Sequence, residues 1–185
     1  MDDLLPRGLR WLRRLAHKGL RALPGARARR HARLRDALDR SRRVLVVCAG
    51  NICRSPFAER YLRSRFGERW SVRSSGYYPQ SGRPSPPEAV ELAGKYRVDQ
   101  HDHRSHVLTP DDVEWAEVVL LFDGRNHDRL RHSYPDQSAK LHFVGDIPRS
   151  GTSEIADPFG KGDAAYQVAY RRIVTALDAL GPEAG

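Results

Sequence analysis

The residues best suited to chemistry are a cysteine and an arginine six positions apart, Cys48 and Arg54. A short apolar run, residues 44–47, leads into the cysteine, and Ser55-Pro56 follows the arginine with the pattern of a helix start. A helix N-terminus offers unpaired backbone N–H groups and a partial positive charge, so the loop amides can surround an anion. The planar guanidinium of Arg54 could fold over the same anion and match the oxygens of a phosphate group. The pattern predicts a phosphate-binding loop that carries a nucleophilic thiol.

The surroundings of Cys48 favour its thiolate form at neutral pH, which is the nucleophilic form of the side chain. The alternative is a buried and inert thiol at a strand end. A glycine that permits unusual backbone angles, Gly50, and a helix that starts directly after Arg54 favour the reactive interpretation. We expect Ser55 to lie at or near the N-cap of that helix.

The elements that must position this loop alternate between apolar strands and amphipathic helices. Strands are predicted at residues 44–47, 70–75, 118–122 and 141–144, and helices at residues 87–96 and 164–180 and from residues 55 and 109 onward. This alternation predicts an α/β fold, a four-stranded parallel sheet with helices on both faces. Ligands in such folds bind at the carboxyl ends of the strands, which is where Cys48 lies.

The basic residues are concentrated at one end of the chain. The net charge is +9 over 185 residues, but residues 1–43 carry 14 Lys and Arg against four Asp, and the remainder is close to neutral. An enzyme that acts on nucleic acid usually carries its positive charge on the catalytic domain. The distribution therefore argues against a nucleic-acid partner.

We predict two units, an extension at residues 1–42 and a catalytic domain at residues 43–185. Within the extension, residues 4–23 have the pattern of a basic amphipathic helix, and residues 26–43 that of a second helix packed loosely on the domain. Contact of residues 1–23 with an anionic membrane surface is one interpretation. Packing on the domain, a dimer contact and a transit peptide are the alternatives, the last disfavoured by two early aspartates.

The chain has two cysteines and no apolar run of the ~18 residues that span a bilayer. No secretory signal is recognisable and no disulfide framework is implied. These features predict a cytoplasmic protein, with peripheral attachment at the inner face of the membrane if the extension binds lipid.

The run from Val47 to Pro56 resembles the phosphate loop of the low-molecular-weight protein tyrosine phosphatases almost residue for residue. A second hallmark of that family, an Asp-Pro followed by an aromatic residue, appears as Asp157-Pro158-Phe159. Residues 103–109 and 122–123 are similar to the middle segments of the family. The resemblance begins near Arg43 and implies a Rossmann-like sheet of the phosphotyrosine phosphatase I type.

The resemblance implies a role for each matching residue. Cys48 would attack phosphorus and form a phosphocysteine, Arg54 would bind the equatorial oxygens, and Asp157 would act as general acid and then as base. Ser55 would donate a hydrogen bond to the sulfur. No metal or cofactor is needed. The remaining substrate-binding positions are those of the loop, Ala49, Gly50, Asn51, Ile52 and Cys53.

Three further assignments follow from the resemblance and leave alternatives open. Asn51 would brace the loop through Ser75 and His103, although a solvated histidine cluster also fits His103. Cys53 would protect Cys48 by pairing with it under oxidation, or would simply pack. The substrate ring would stack on an aromatic wall, for which the candidates are Tyr77, Tyr78 and Phe159.

The implied partner is a phosphotyrosine-containing protein, for which a bacterial tyrosine kinase is a candidate. An arsenate reductase would need relay cysteines after Cys53, and the sequence has none. A protein-arginine phosphatase tends to carry Thr where Ile52 stands. A catalytically idle binding module would not need Cys48, Arg54 and Asp157 together.

Overall fold

The computed structural model describes residues 25–148 and 151–181. Its four strands form one parallel sheet in the order β2-β1-β3-β4. The strands are β1 Arg43–Cys48, β2 Ser71–Gly76, β3 Val118–Leu121 and β4 Leu141–Phe143. The predicted four-stranded parallel sheet is confirmed.

Six α-helices and three 3₁₀ turns connect and flank the strands within the described ranges. The helices are α1 Ala26–Arg40, α2 Arg54–Phe66, α3 Pro87–Gly94, α4 Pro110–Trp115, α5 Gly124–Ser133 and α6 Asp163–Asp178. The 3₁₀ turns are Gly67–Arg69, Pro135–Lys140 and Val144–Asp146.

Strand β1 is buried on both faces, which explains its continuous apolar sequence. Val44 and Val46 point into a core formed with α1, α2, α3 and α6. Leu45 and Val47 point into a second core formed with α4 and α5. Helices therefore cover both faces of the sheet, as predicted.

Helix α2 begins at Arg54, with Cys53 at its N-cap, so Ser55 lies near the N-cap, inside the first turn, and does not itself cap the helix. Helix α5 was not predicted, because its ten residues are mostly polar and only Asn126 and Leu130 are buried. By contrast, the start of α4 at Thr109 is confirmed, where Asp112 N donates to Thr109 Oγ1 at 3.2 Å.

Helix α1 packs tightly on the domain rather than loosely. Leu34 is fully buried and Leu38 is 2% exposed, both within the larger core. The indole Nε1 of Trp70 donates to Leu38 O at 3.1 Å. The predicted helix at residues 4–23 lies outside the described residues. Among those that are described, no helix has the length and apolar character needed to cross a bilayer.

Candidate active site

Cys48 ends β1, and the loop that follows it lies against the end of β2. A Cβ at Gly76 would stand 2.6 Å from Asn51 N and 2.7 Å from Ala49 O, so only glycine allows this approach. Tyr78 N donates to Ala49 O at 2.9 Å and fixes the loop from the same side. The loop is therefore held against β2 by backbone contact.

Cys48 is 3% exposed, and its sulfur lies within reach of two donors. Its Sγ is 3.0 Å from Ser55 Oγ and accepts from Asn51 N at 3.3 Å. Ser55 Oγ accepts from Asn51 Nδ2 at 2.9 Å, and its one proton has two acceptors within reach, the sulfur of Cys48 and Ser75 O at 3.4 Å.

Asn51 braces the loop and has a positive φ of 50°. Its backbone oxygen accepts from His103 Nε2 at 2.7 Å, and its Oδ1 accepts from His106 N at 2.8 Å. Burial lowers the pKa of His103, so the neutral ring donates through Nε2–H. At 8% exposure, His103 is not part of a solvated cluster.

The serine partner of Asn51 is Ser74 and not the predicted Ser75. Asn51 Nδ2 donates to Ser74 Oγ at 2.9 Å, and Ser74 Oγ donates to Glu59 Oε2 at 2.5 Å. Ser75 instead offers its backbone oxygen to Ser55 Oγ at 3.4 Å, and its own hydroxyl has no partner among the described residues. Adjacent strand residues face opposite sides, so the two serines cannot exchange roles.

The guanidinium of Arg54 is 1% exposed and lies between two carboxylates. Its Nη1 donates to Asp123 Oδ2 at 2.6 Å and to Ile155 O at 2.9 Å, and its Nη2 is 2.8 Å from Asp157 Oδ2. Burial alone would lower the pKa of Arg54, but the negative charges around it, led by that of Cys48, raise it, so the side chain stays charged.

Two donors of Arg54 remain available for an anion. Nε and Nη2 are buried and make no hydrogen bond with a described residue, the contact of Nη2 with Asp157 being an ion pair of poor hydrogen-bond geometry. A buried donor without a partner is costly, so these two atoms are expected to meet ligand oxygens.

Asp157 joins the loop from the far end of the chain. Its carboxylate is 39% exposed, and its Oδ1 accepts from Phe159 N at 3.4 Å. Phe159 is 58% exposed and Tyr78 is 50% exposed, so both offer a ring face to a substrate. Tyr77 is less accessible for stacking on a substrate ring than predicted, because it is half-buried and its hydroxyl accepts from Asn126 Nδ2 at 3.2 Å.

Arg83 contacts the phosphate-binding loop and the ring of Tyr78, and it was not identified from the sequence. Its Nη2 donates to Gly50 O at 2.6 Å, and its guanidinium lies 4.3 Å from the centre of the Tyr78 ring. Ile52, buried at 8% exposure, also lies close to Gly50. The Gly/Pro-rich segment that carries Arg83 gave no signal for this contact. Asp123 was detectable in principle, as an acidic residue at the carboxyl end of a central strand.

The two cysteines of the loop differ in reactivity. Both are free thiols in the structure. Burial raises the pKa of Cys53 to about 12, and its Sγ lies 3.4 Å from the hydroxyl of Tyr166. Cys53 therefore remains a neutral thiol at physiological pH.

Comparison with known proteins places this geometry in a family. A sequence model described as low molecular weight phosphotyrosine protein phosphatase matches residues 43–183. Probable low molecular weight protein-tyrosine-phosphatase EpsP of Ralstonia nicotianae is 34% identical over 139 residues, which is 75% of this chain and 93% of the relative.

Two solved structures share the fold over most of their length. YwlE arginine phosphatase from Geobacillus stearothermophilus has a TM-score of 0.70 and 28% identity, covering 76% of this chain and 90% of that one. Vibrio vulnificus Wzb in complex with benzylphosphonate has a TM-score of 0.68 and 30% identity, and the match covers 75% of this chain and 95% of the Wzb chain. With Cys48, Arg54 and Asp157 brought together and the match spanning most of its length, the chain belongs to the low molecular weight phosphotyrosine protein phosphatase family and is a hydrolase.

Proposed function

We propose that the protein hydrolyses phosphotyrosine side chains of other proteins through a phosphocysteine at Cys48. The observation that carries this proposal is that a buried guanidinium, with two donors that make no hydrogen bond to any described residue, lies beside a hydrogen-bonded thiol. The carboxylate of Asp157 contacts that guanidinium at 2.8 Å and supplies the third group of the mechanism, the general acid.

In the first step the phosphate oxygens take the free donors of Arg54 and the amides at the start of α2. Cys48 Sγ attacks phosphorus, the S–P bond forms, and the bond from phosphorus to the tyrosine oxygen breaks. Asp157, in its acid form, gives its proton to the departing oxygen. Arg54 stabilises the charge that spreads over the equatorial oxygens in the transition state.

In the second step Asp157, now a carboxylate, takes a proton from water. The water oxygen attacks phosphorus, the S–P bond breaks, and inorganic phosphate leaves. Ser55 stabilises the departing thiolate, because its hydroxyl lies 3.0 Å from Sγ. The hydrogen bond from Asn51 N supports the same charge. These residues complete the cycle without a metal ion.

The tyrosine specificity rests on the exposed rings of Tyr78 and Phe159 and on the apolar Ile52 beside the loop. One relative was solved with benzylphosphonate, in which a single atom links the aromatic ring to phosphorus, as in phosphotyrosine. A relative that is a protein-arginine-phosphatase, at 29% identity, makes phosphoarginine the competing substrate. Steady-state hydrolysis of matched phosphotyrosine and phosphoarginine peptides decides between them. A higher kcat/KM for phosphoarginine would overturn the tyrosine assignment.

Variants test the mechanism separately. Cys48→Ser should bind phosphotyrosine peptide without turnover, and acid quench of the wild type should trap a phosphoryl group on Cys48. Cys53→Ser, the matched change in the same loop, should still form that adduct. Asp157→Asn should lower kcat/KM strongly for phosphotyrosine and little for an aryl phosphate with a good leaving group, because that parameter reports the step in which the acid protonates the leaving oxygen. Normal turnover by Cys48→Ser would exclude the phosphocysteine.

A further inference from the structure

We propose that Arg27 and Arg30 of α1 are positioning residues for Asp157, because they hold the segment that carries it. This segment, residues 151–162, is called the acid loop below. The inference rests on the proposed function for the role of Asp157. It concerns residues that precede the family match, which begins at residue 43.

Asp146 is the link between α1 and the acid loop. It is 2% exposed, and its two oxygens are shared between the helix and the loop. Arg30 Nε donates to Oδ2 at 2.9 Å, and Arg27 Nη1 donates to Oδ1 at 3.3 Å. Ser153 Oγ, from the acid loop, donates to Oδ1 at 2.5 Å. A buried carboxylate needs such partners, so helix and loop depend on each other through it.

The turn that carries Asp146 is fixed by Arg27 as well. Arg27 Nη2 donates to Gly145 O at 2.6 Å and to Pro148 O at 2.9 Å. The acid loop rests directly on this turn, because a Cβ at Gly145 would lie 2.2 Å from Ser153 O. Longer contacts join both arginines to the loop itself, Arg30 Nη2 to Ser153 Oγ at 3.3 Å and Arg27 Nη1 to the same atom at 3.4 Å.

Ser153 lies only four residues before Asp157, so the contacts that fix Ser153 also restrict the position of Asp157. Ile155 N donates to Phe122 O at 2.6 Å, and Ile155 O accepts from Arg54 Nη1 at 2.9 Å. Asp157 follows two positions later. Any shift of Ser153 must therefore be absorbed between Ser153 and Ile155, or displace Asp157 and the partner oxygen of Arg54.

The acid loop lacks helix and strand from Gly151 through Pro158, so side-chain contacts must fix its position. Arg172 of α6 also holds the loop, donating to Glu154 O at 2.6 Å and to Thr152 O at 2.8 Å. Arginines of α6 and α1 thus hold the loop together, and the contacts from α1 are called the clamp. A misplacement of about 1 Å at a reacting group can cost roughly 100-fold in rate, so the clamp bears on catalysis.

The test measures kcat/KM, which reports the steps up to cleavage of the P–O bond, for phenyl phosphate, which has a poor leaving group, and for 4-nitrophenyl phosphate, which has a good one. Arg30→Met and Ser153→Ala remove the clamp from its two ends, and Ser153→Ala takes away only one hydroxyl. Each should lower kcat/KM about 10-fold for phenyl phosphate and less than about 2-fold for 4-nitrophenyl phosphate, since only the first needs a well-placed acid. The double variant should lose little more than either single one.

The matched control is Arg35→Met, on the same helix. Arg35 Nη1 donates to Ala179 O at 2.8 Å, far along the chain from the acid loop. This variant should keep the wild-type ratio of the two kcat/KM values. An equal change of that ratio in Arg35→Met would overturn the inference, because it would reflect general loosening of α1.

Asp157→Asn separates this inference from the proposed function. If Asp157→Asn loses no more activity on phenyl phosphate than on 4-nitrophenyl phosphate, the general-acid assignment itself fails. If Asp157→Asn shows the difference while Arg30→Met and Ser153→Ala keep the wild-type ratio, the clamp alone is refuted. Losses in those two variants that are equal for both substrates refute it as well.

Discussion

Replacing Asp123 by Asn tests how strongly the reaction depends on the orientation that Asp123 gives to the guanidinium of Arg54. The 2.6 Å contact joins side chains that are 14% and 1% exposed, so solvent weakens it little. A hydrogen bond between charged groups contributes about 1.5–3 kcal/mol. If that alignment is needed in the transition state, kcat should fall roughly 10- to 100-fold. The substrate is an anion and one negative charge is removed, so KM should not rise.

The variant keeps the fold because Asn can still accept from Asn126 N, as Asp123 Oδ1 does at 2.9 Å, and so cap α5. Steady-state kinetics on 4-nitrophenyl phosphate give kcat and KM, and urea unfolding gives stability. Asp128→Asn, an exposed change on the same helix, is the control and should behave as the wild type. A kcat of Asp123→Asn within twofold of wild type, or a rise in KM alone, would refute the reasoning.

Mild peroxide should inactivate the enzyme reversibly by oxidising Cys48 to a sulfenic acid, which Cys53 then captures as a disulfide with loss of water. Because burial raises the pKa of Cys53 to about 12, the disulfide should form faster as pH rises. Mass spectrometry that finds sulfonic acid at Cys48 with Cys53 still free would contradict this. Burial also lowers the pKa of His142 to about 4. The wild type should therefore lose about 3 kcal/mol of stability relative to His142→Gln as pH falls from about 6.5 to about 4, and parallel unfolding curves would exclude the effect. Residues 1–23 should bind anionic vesicles in a salt-sensitive way, and a chain that begins at Gly25 should not bind them while keeping its activity. If neither chain binds, the extension has another role.

The chemistry of the loop was predictable because it is local in sequence. The nucleophile, the arginine and the helix start lie within nine residues, Cys48 to Pro56, so spacing alone indicates how they meet. Asp157 was assigned only through the resemblance to a family. Nothing in the spacing joins residues more than a hundred positions apart, and the structure supplies that contact through the 2.8 Å ion pair with Arg54.

The brace of Asn51 shows the limit of strand prediction. The expected strand ended at residue 75, whereas β2 runs through Gly76, and Ser74 and Ser75 are adjacent. Neighbouring residues of a strand point to opposite faces of the sheet. An error of one position in the register of the strand therefore assigns the contact with Asn51 to the wrong one of the two serines. Pattern alone could not decide which serine hydroxyl meets the amide.

The packing of α1 could not be read from the sequence either. Its apolar stripe is thin, and arginines fill most other positions. The contacts that dock it join Arg27 and Arg30 to Asp146, residues 119 and 116 positions away. Basic residues on a polar helix usually indicate a solvated surface, and only tertiary structure shows that these two have a buried carboxylate as partner.

The position of α1 also has a consequence for how the chain is made. The helix emerges from the ribosome early, but its partners include Ala179 O, bound by Arg35 at 2.8 Å, and Pro148 O, bound by Arg27 at 2.9 Å. Contacts of such long range are slow to form, and they require nearly the whole chain to be synthesised first. Until then the face of α1 that carries Leu34 and Leu38 is exposed, so nascent chains should interact with chaperones through this face.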